Sequence, residues 1–194
     1  MPKIVDYAKR RVEIVDALLE LIAQDGMGAA TSRALASHLG VSNGALWRYF
    51  KGKDDLLAAT YQTVLDKSNL RVARAIAGRT GVDAVLAMME TFFPLTAELQ
   101  DEAKVVLAFW GVAAMNSTQA SHGNPEMVEW SDEFAILLKE GIEAGELRPD
   151  TPADALGNIL MSVGTNAQVD YVFRGDDGAA RLAEVRQLID SFRA

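Results

Sequence analysis

The chain has 194 residues, 49% of them apolar, and a formal net charge of −8. That apolar content is enough for a folded core, yet no apolar run reaches the roughly 18 residues that a membrane helix needs, so we expect no membrane-spanning segment. The absence of cysteine excludes disulfides, thiolate nucleophiles and cysteine-based zinc sites. The first residues lack the pattern of a signal peptide, which predicts a cytoplasmic protein.

The charge is distributed unevenly. Residues 1–56 contain eight Lys and Arg against seven Asp and Glu, a net of +1, whereas the remainder contains 11 basic against 20 acidic residues, a net of −9. This asymmetry is typical of a DNA-binding head attached to an acidic body. An acidic protein with no nucleic-acid role fits the composition equally well.

Apolar residues recur at helical spacing along nearly the whole chain, without strand-like alternation. In the first helix the apolar positions are Val12, Val15, Leu19 and Ile22, and Gly26 is the expected end. Further helices are predicted over about residues 32–39, 43–50, 54–77, 82–93, 97–116, 124–144, 152–173 and 179–192. The sequence therefore predicts an all-α fold of about nine helices.

Residues 31–53, TSRALASHLGVSNGALWRYFKGK, contain two short helices joined by a turn. Thr31 is the expected N-cap of the first helix, Gly40 and Val41 form the turn, and Ser42 opens the second helix. Two short helices joined in this way are the signature of a helix-turn-helix, whose second helix enters the DNA major groove. We therefore expect a three-helix DNA-binding domain over 1–52 and a helical effector-binding and dimerisation domain over 53–194.

On the second of these helices Leu46 and Phe50 share the face expected to pack inward, whereas Arg48 points outward. A guanidinium there can bind guanine O6 and N7 together. Trp47 and Tyr49 flank the outward strip, although half-buried core aromatics are an equal alternative for both. The candidate DNA-binding residues are Ser32, Arg33, Ser42, Asn43, Gly44, Ala45, Trp47, Arg48, Tyr49 and Lys53. The basic residues near the start, expected to reach the DNA backbone or minor groove, are Lys3, Lys9, Arg10 and Arg11.

Residues 31–57, TSRALASHLGVSNGALWRYFKGKDDLL, resemble the DNA-binding head of the tetracycline-repressor (TetR) family of bacterial transcription regulators. The matching positions are Ala36, Gly40, Val41, Ser42, Leu46, Tyr49, Phe50, Lys53, Leu56 and Leu57. Trp47 departs from the usual Tyr, and Gly44 offers no side chain for reading bases. Two later segments, VVLAFWGVAA and GIEAGELRPDTPADALG, resemble more loosely the branch of this family that includes the repressor of choline-to-betaine genes.

The resemblance implies a homodimer that binds a palindromic operator in double-stranded DNA and leaves it when a small-molecule effector binds. The last two predicted helices are the best candidates for the dimer seam, and Gly157 and Gly164 would allow close approach there. The alternative is that these apolar stripes are buried within one chain. The candidate interface residues are Leu156, Ile159, Leu160, Val163, Ala167, Leu182, Val185, Leu188, Ile189 and Phe192.

The resemblance also implies an effector cavity among the middle helices, although Met and aromatic stripes at helical spacing are more often plain core. An acidic environment would suit a cationic or amphipathic effector, with Trp110 or Trp130 offering a cation–π face. The candidate ligand-binding residues are Met88, Met89, Phe92, Phe93, Trp110, Asn116, Trp130, Phe134, Met161, Thr165 and Gln168.

Motifs of enzymes are absent from the sequence. His38 and His122 have no neighbours spaced as metal ligands or triad partners, and no phosphate-binding glycine loop, HExxH or GxSxG occurs. We therefore expect no cofactor, no metal and no catalytic site. The alternatives that remain are a regulator that activates or lacks an inducer, a helical small-molecule binding or scaffold protein with a vestigial head, and an enzyme of unrecognised type.

Overall fold

The computed structural model describes residues 7–26, 28–115 and 125–194. Within these ranges the regular elements are nine helices, and the all-α prediction is confirmed. They are α1 (Tyr7–Asp25), α2 (Ser32–His38), α3 (Asn43–Leu46), α4 (Lys53–Ile76), α5 (Gly81–Glu90), α6 (Ala97–Met115), α7 (Pro125–Glu143), α8 (Ala153–Arg174) and α9 (Ala179–Asp190). No helix in the described part of the chain has the length and apolar character needed to cross a bilayer.

The first helix buries a stripe that overlaps only in part with the predicted one: Val15 and Ile22 are buried as predicted. Its buried side chains are Ile14, Val15, Ala17, Leu18, Leu21 and Ile22. Val12, predicted to face inward, is 58% exposed, and Leu19 is only partly buried. At about 100° per residue the buried stripe is centred between Ile14 and Leu18, and Val12 lies well outside it. The prediction for Val12 is therefore wrong.

The helix α3 is shorter than the predicted 43–50. Beyond Leu46 the chain continues as a tight turn, in which Arg48 N donates to Ala45 O at 3.4 Å and Tyr49 N donates to Leu46 O at 3.0 Å. Hydrogen bonds of this i→i−3 type are common where a short helix ends. The turn still carries Phe50 back into the core, where it is 2% exposed.

The helices α1, α2 and α3 form the head, and its core extends past the predicted boundary between residues 52 and 53. Leu56 and Val64 of α4 belong to this core, and so does Val105 of α6, which is 2% exposed. The boundary therefore separates helices but not hydrophobic cores. Two helices of the body, α4 and α6, are anchored in the head.

The remaining helices form the body, whose core lies mainly between α5, α7, α8 and α9. A Cβ atom built on Gly157 of α8 would lie 2.7 Å from Ser131 O and 3.1 Å from Ala135 N of α7. One built on Gly164 would lie 2.9 Å from Phe92 Cβ. These glycines therefore permit close packing inside one chain, rather than the close approach of two chains that we expected from the sequence.

Candidate DNA interface and effector cavity

A glycine turn sets the direction in which α3 leaves α2. Gly40 has φ +66°, a left-handed conformation that glycine adopts without steric cost. Gly40 N donates to Ser37 O at 3.1 Å, and Val41 N donates to Ala36 O at 2.9 Å. This pair of hydrogen bonds is the Schellman pattern of helix ends, and it satisfies the last carbonyls of α2. The turn that defines the helix-turn-helix is thus encoded locally.

One side of α3 packs on the head and the other is open. Leu46 is 1% exposed, whereas Ser42, Asn43, Gly44 and Arg48 are all exposed. A Cβ atom built on Gly44 would meet nothing within 4 Å. The absence of a side chain at Gly44 allows the backbone of α3 to approach another surface closely.

The tight turn after α3 is held by two side chains of α1. The hydroxyl of Tyr7 donates to Arg48 O at 3.3 Å and to Tyr49 O at 3.2 Å. The Arg11 guanidinium also donates to Tyr49 O and lies 4.1 Å from the centroid of the Phe50 ring. Arg11 therefore stabilises the end of α3, and its contact with DNA stays a prediction. No signal in the sequence indicates this role of Tyr7.

Three other predicted DNA-contacting residues lie at the starts of neighbouring helices. Ser32 and Arg33 begin α2, and Lys53 begins α4. Tyr49 is half-buried by its contact with Tyr7, at 5.2 Å between ring centroids. Trp47 is also half-buried and packs against the head core, so its indole is in part a core aromatic. Of the early basic residues, Arg10 pairs with Glu13 at 2.5 Å, and Lys3 lies outside the described residues.

The exposed basic groups of this face are not neutralised. Among the described residues Arg33, Arg48 and Lys53 form no ion pair, while Arg10 and Arg11 each have a carboxylate within 4.0 Å. Cations without carboxylate partners are available for phosphate or base contacts.

A cavity lies in the body between α4, α6, α7, α8 and the end of α5. It contains about 530 Å³ of empty space, counting the solvent at its opening. Six predicted residues line it: Phe92, Trp110, Trp130, Met161, Thr165 and Gln168. The lining residues that we did not predict are Tyr61, Val64, Leu65, Ser68, Arg71, Thr91, Leu99, Glu102, Ala103, Val106 and Met127.

Four other predicted ligand residues do not reach the cavity. Met88, Met89, Phe93 and Phe134 are all fully buried in the body core, and their prediction as lining residues is wrong. Each faces the packed interior of the body, and periodicity alone does not distinguish a core stripe from a cavity wall. Asn116 lies outside the described residues.

An ion pair between two helices lies in the cavity wall. Arg71 Nη2 and Glu102 Oε2 are 2.5 Å apart, and Arg71 Nη1 donates to Glu102 Oε1 at 3.2 Å. The Arg71 and Glu102 side chains are 25% and 14% exposed. Both residues resemble ordinary surface charges of amphipathic helices, so the sequence contains no sign of this contact.

Aromatic rings form much of the remaining wall, and the tryptophan N–H groups already have acceptors. Trp110 Nε1 donates to the Tyr61 hydroxyl at 3.2 Å, and Trp130 Nε1 donates to Asn69 Oδ1 at 2.9 Å. Phe92 meets Trp130 edge to face, at 5.1 Å between centroids. The rings therefore present apolar surface to a ligand.

Three buried side-chain atoms in the described part of the chain have no hydrogen-bond partner: Arg71 Nε, Thr165 Oγ1 and Gln168 Oε1. All three residues line the cavity. Buried polar atoms are nearly always paired in folded proteins, so unpaired ones in a cavity indicate a place for a ligand or water.

Most of the predicted dimer residues are buried within the chain. Leu156, Leu160, Ala167, Leu182 and Ile189 are each at most 8% exposed and belong to the body core, so their prediction as the seam is wrong. They lie on the sides of α8 and α9 that face α5 and α7. Val185 is also in this core but borders the groove described next. Phe192 is half-buried against the same core.

A surface groove between α8 and α9 retains the outward-facing members of the predicted seam. Ile159 is 50% exposed and Leu188 is 38% exposed, and Val163 is half-buried between them. The groove is lined by Asn158, Ile159, Ser162, Val163, Asn166, Arg181, Glu184, Val185 and Leu188. Apolar side chains with a polar surround are typical of a protein–protein contact surface.

Comparison with known proteins gives matches over both parts of the chain. Residues 14–60 match bacterial regulatory proteins of the tetR family, and residues 81–164 match the C-terminal region of BetI-type transcriptional repressors. The HTH-type transcriptional regulator PksA of Bacillus subtilis is 30% identical over 190 residues, covering 94% of this chain and 90% of that protein.

Two solved structures share the fold. A TetR transcription regulator from Haloarcula marismortui has a TM-score of 0.84 at 18% identity, covering 96% of this chain and all of that one (100%). A transcriptional regulator from Saccharomonospora viridis in complex with choline has a TM-score of 0.80 at 22% identity, covering 95% of each chain.

Proposed function

We propose that this chain, which belongs to the TetR family of bacterial transcriptional regulators, is a homodimeric repressor that a small molecule releases from a palindromic operator. The observation that carries the proposal is the open face of α3, where Arg48 is exposed and forms no ion pair with any described residue. A vestigial head would have no need to keep this face open and its cations unpaired.

The residues proposed to contact bases lie in a short segment, residues 44–48. Gly44 and the partly buried Ala45 leave room for the backbone of α3 to approach base edges. We propose that Arg48, which is exposed in the turn after this helix, binds a guanine. Arg33 and Lys53, at the starts of α2 and α4, supply phosphate contacts on either side, helped by the backbone N–H groups of those helix ends.

Dimerisation is proposed to occur through the α8–α9 groove, with Ile159, Val163 and Leu188 meeting the same residues of a second copy. Two heads in a symmetric dimer would read two half-sites about 34–36 Å apart or a multiple of that spacing, which explains why a palindrome is expected. The residues of the predicted seam that are buried in the body core then stabilise the fold of each subunit rather than the interface between subunits.

The effector is proposed to act through α4 and α6. On α6, Glu102 and Trp110 line the cavity, while Val105 is buried in the head core. On α4, Arg71 lines the cavity and Leu56 is buried in the head core. A ligand that binds one arrangement of these helices more tightly shifts the spacing of the two heads, and a difference of about 1–3 kcal/mol suffices for a useful switch.

The test is selection of sheared genomic DNA of the source organism on the purified protein, followed by sequencing of the retained fragments. The expected result is a small set of fragments that share an inverted repeat. Retention of fragments without any common sequence, at both low and physiological salt, would contradict the proposal. A reporter placed behind the recovered sequence then decides between repression and activation.

A further inference from the structure

We propose that the effector is an uncharged molecule with an apolar body and a hydrogen-bonding end, and that the Arg71–Glu102 pair selects it. The inference rests on the proposed function only in treating the body cavity as the effector site. It differs from the cationic effector that the acidic composition of the chain suggested.

The charge of the cavity is balanced before any ligand enters. Among the described residues that line it, Arg71 and Glu102 are the only charged ones, and they neutralise each other through two contacts. A cation or an anion brought into this partly buried site would leave one charge without a partner, which is costly away from water. No other acidic residue of the described part of the chain lines the cavity, so none of them compensates a bound cation there.

The unpaired polar atoms describe the complementary ligand. Arg71 Nε is a donor, Gln168 Oε1 is an acceptor, and Thr165 Oγ1 is both. Thr165 and Gln168 are three residues apart on α8 and therefore share a face of that helix. A hydroxyl or a similar neutral group can accept from Arg71 and donate to this face, which a carboxylate or a quaternary ammonium group cannot do.

The apolar part of the ligand is matched by the rings. The indole N–H groups of Trp110 and Trp130 already have acceptors. These side chains therefore offer the ligand apolar contact surface and need no hydrogen bond from it. A cation over a tryptophan face gains from the ring, yet the neutralised Arg71–Glu102 pair offers it no counter-charge to offset the loss of its water. The rings therefore favour any ligand with an apolar body, and the Arg71–Glu102 ion pair disfavours a ligand with a charged end group.

The experiment measures binding of three matched probes to the full-length protein without DNA by isothermal titration calorimetry. The probes are phenylpropanol, phenylpropylammonium and phenylpropanoate, which share a ring and a chain and differ in the charge of the end group. Phenylpropanol is expected to bind about tenfold or more tightly than either charged probe. Tighter binding of a charged probe, or no saturable binding of phenylpropanol, would overturn the proposal.

Variants of the pair provide the second readout. Glu102→Gln leaves the guanidinium uncompensated and should move the preference to phenylpropanoate, while Arg71→Gln leaves the carboxylate and should move it to phenylpropylammonium. The double variant should prefer phenylpropanol again. Arg79→Gln is the matched control, because its pair with Asp83 is exposed and lies outside the cavity.

An unchanged preference in both single variants would also refute the proposal, since the pair would then not select the ligand. If circular dichroism shows that a single variant does not fold, the probe preferences of the parent and of the double variant are the test. Because no DNA is present, a protein that prefers phenylpropanol but selects no genomic fragment refutes the proposed function and not this inference.

Discussion

The Nζ atom of Lys104 donates a hydrogen bond to the carbonyl oxygen of Ala23 at 3.1 Å. Lys104 is on α6, which walls the cavity, and Ala23 is in the last turn of α1, in the head. The same ammonium group pairs with Asp101 at 2.9 Å. A cation at the C-terminal end of a helix interacts favourably with its dipole, so this contact links the cavity wall to the head.

Replacing Lys104 by Met should weaken that link while keeping the aliphatic stem. We expect a loss of stability of about 0.3–1 kcal/mol and a smaller change in operator affinity on effector binding. Chemical denaturation and DNA titrations with and without effector measure the two effects. Lys139→Met, which removes an exposed ammonium on α7, is the control; an equal effect of both variants on the response would contradict the link.

Arg48→Ala should reduce operator affinity and relax base preference at one position of each half-site, while the fold is unchanged because this side chain is exposed. A bidentate contact to guanine is worth about 1–3 kcal/mol of discrimination. Binding to a set of operators substituted at each position measures it. Arg79→Ala removes an exposed guanidinium far from the head as a control, and an Arg48→Ala protein with unaltered base preference would show that another residue reads that base.

Lys53→Ala should weaken binding to all DNA sequences alike. Lys53 is exposed at the start of α4, where backbone N–H groups and the ammonium together favour a phosphate. The slope of log affinity against log salt should become shallower by about one unit. An unchanged slope would mean that Lys53 contacts no phosphate.

Ile159→Asp should convert the proposed dimer to monomers, since a carboxylate in the α8–α9 groove would be buried opposite its own copy in that dimer. Helix content should be preserved because Ile159 is 50% exposed in the single chain. Analytical ultracentrifugation measures the mass. Ile136→Asp is the matched control, as Ile136 is also 50% exposed but lies on α7 outside the groove. Dissociation by the control alone would place the seam elsewhere.

Gly157→Ala should destabilise the body by about 1–3 kcal/mol, because the added methyl would lie 2.7 Å from a backbone oxygen of α7 that has no freedom to rotate away. Gly111→Ala on α6 is the control: nothing lies within 4 Å of its Cβ position, and it should be neutral or stabilising. Thermal unfolding compares the two. Equal melting temperatures would show that α7 and α8 can move apart without a loss of stability.

The helices and the helix-turn-helix were predictable because the signals that specify them are local. Thr31 Oγ1 accepts from Ala34 N at 3.1 Å as the cap of α2, and Gly40 adopts the left-handed turn. Both depend on neighbours within a few residues, which sequence spacing shows directly. The family resemblance rested on the same short stretch.

The sequence by itself determined which segments are helical and where the helix-turn-helix lies. Only the tertiary structure decided which face of each later helix meets the core, the cavity or a partner. Phe92 lines the cavity while Phe93 is fully buried in the core, and Arg71 meets Glu102 across 31 residues of chain. An apolar side chain is equally suited to any dry environment, and an ion pair between two helices depends on how those helices are placed in space.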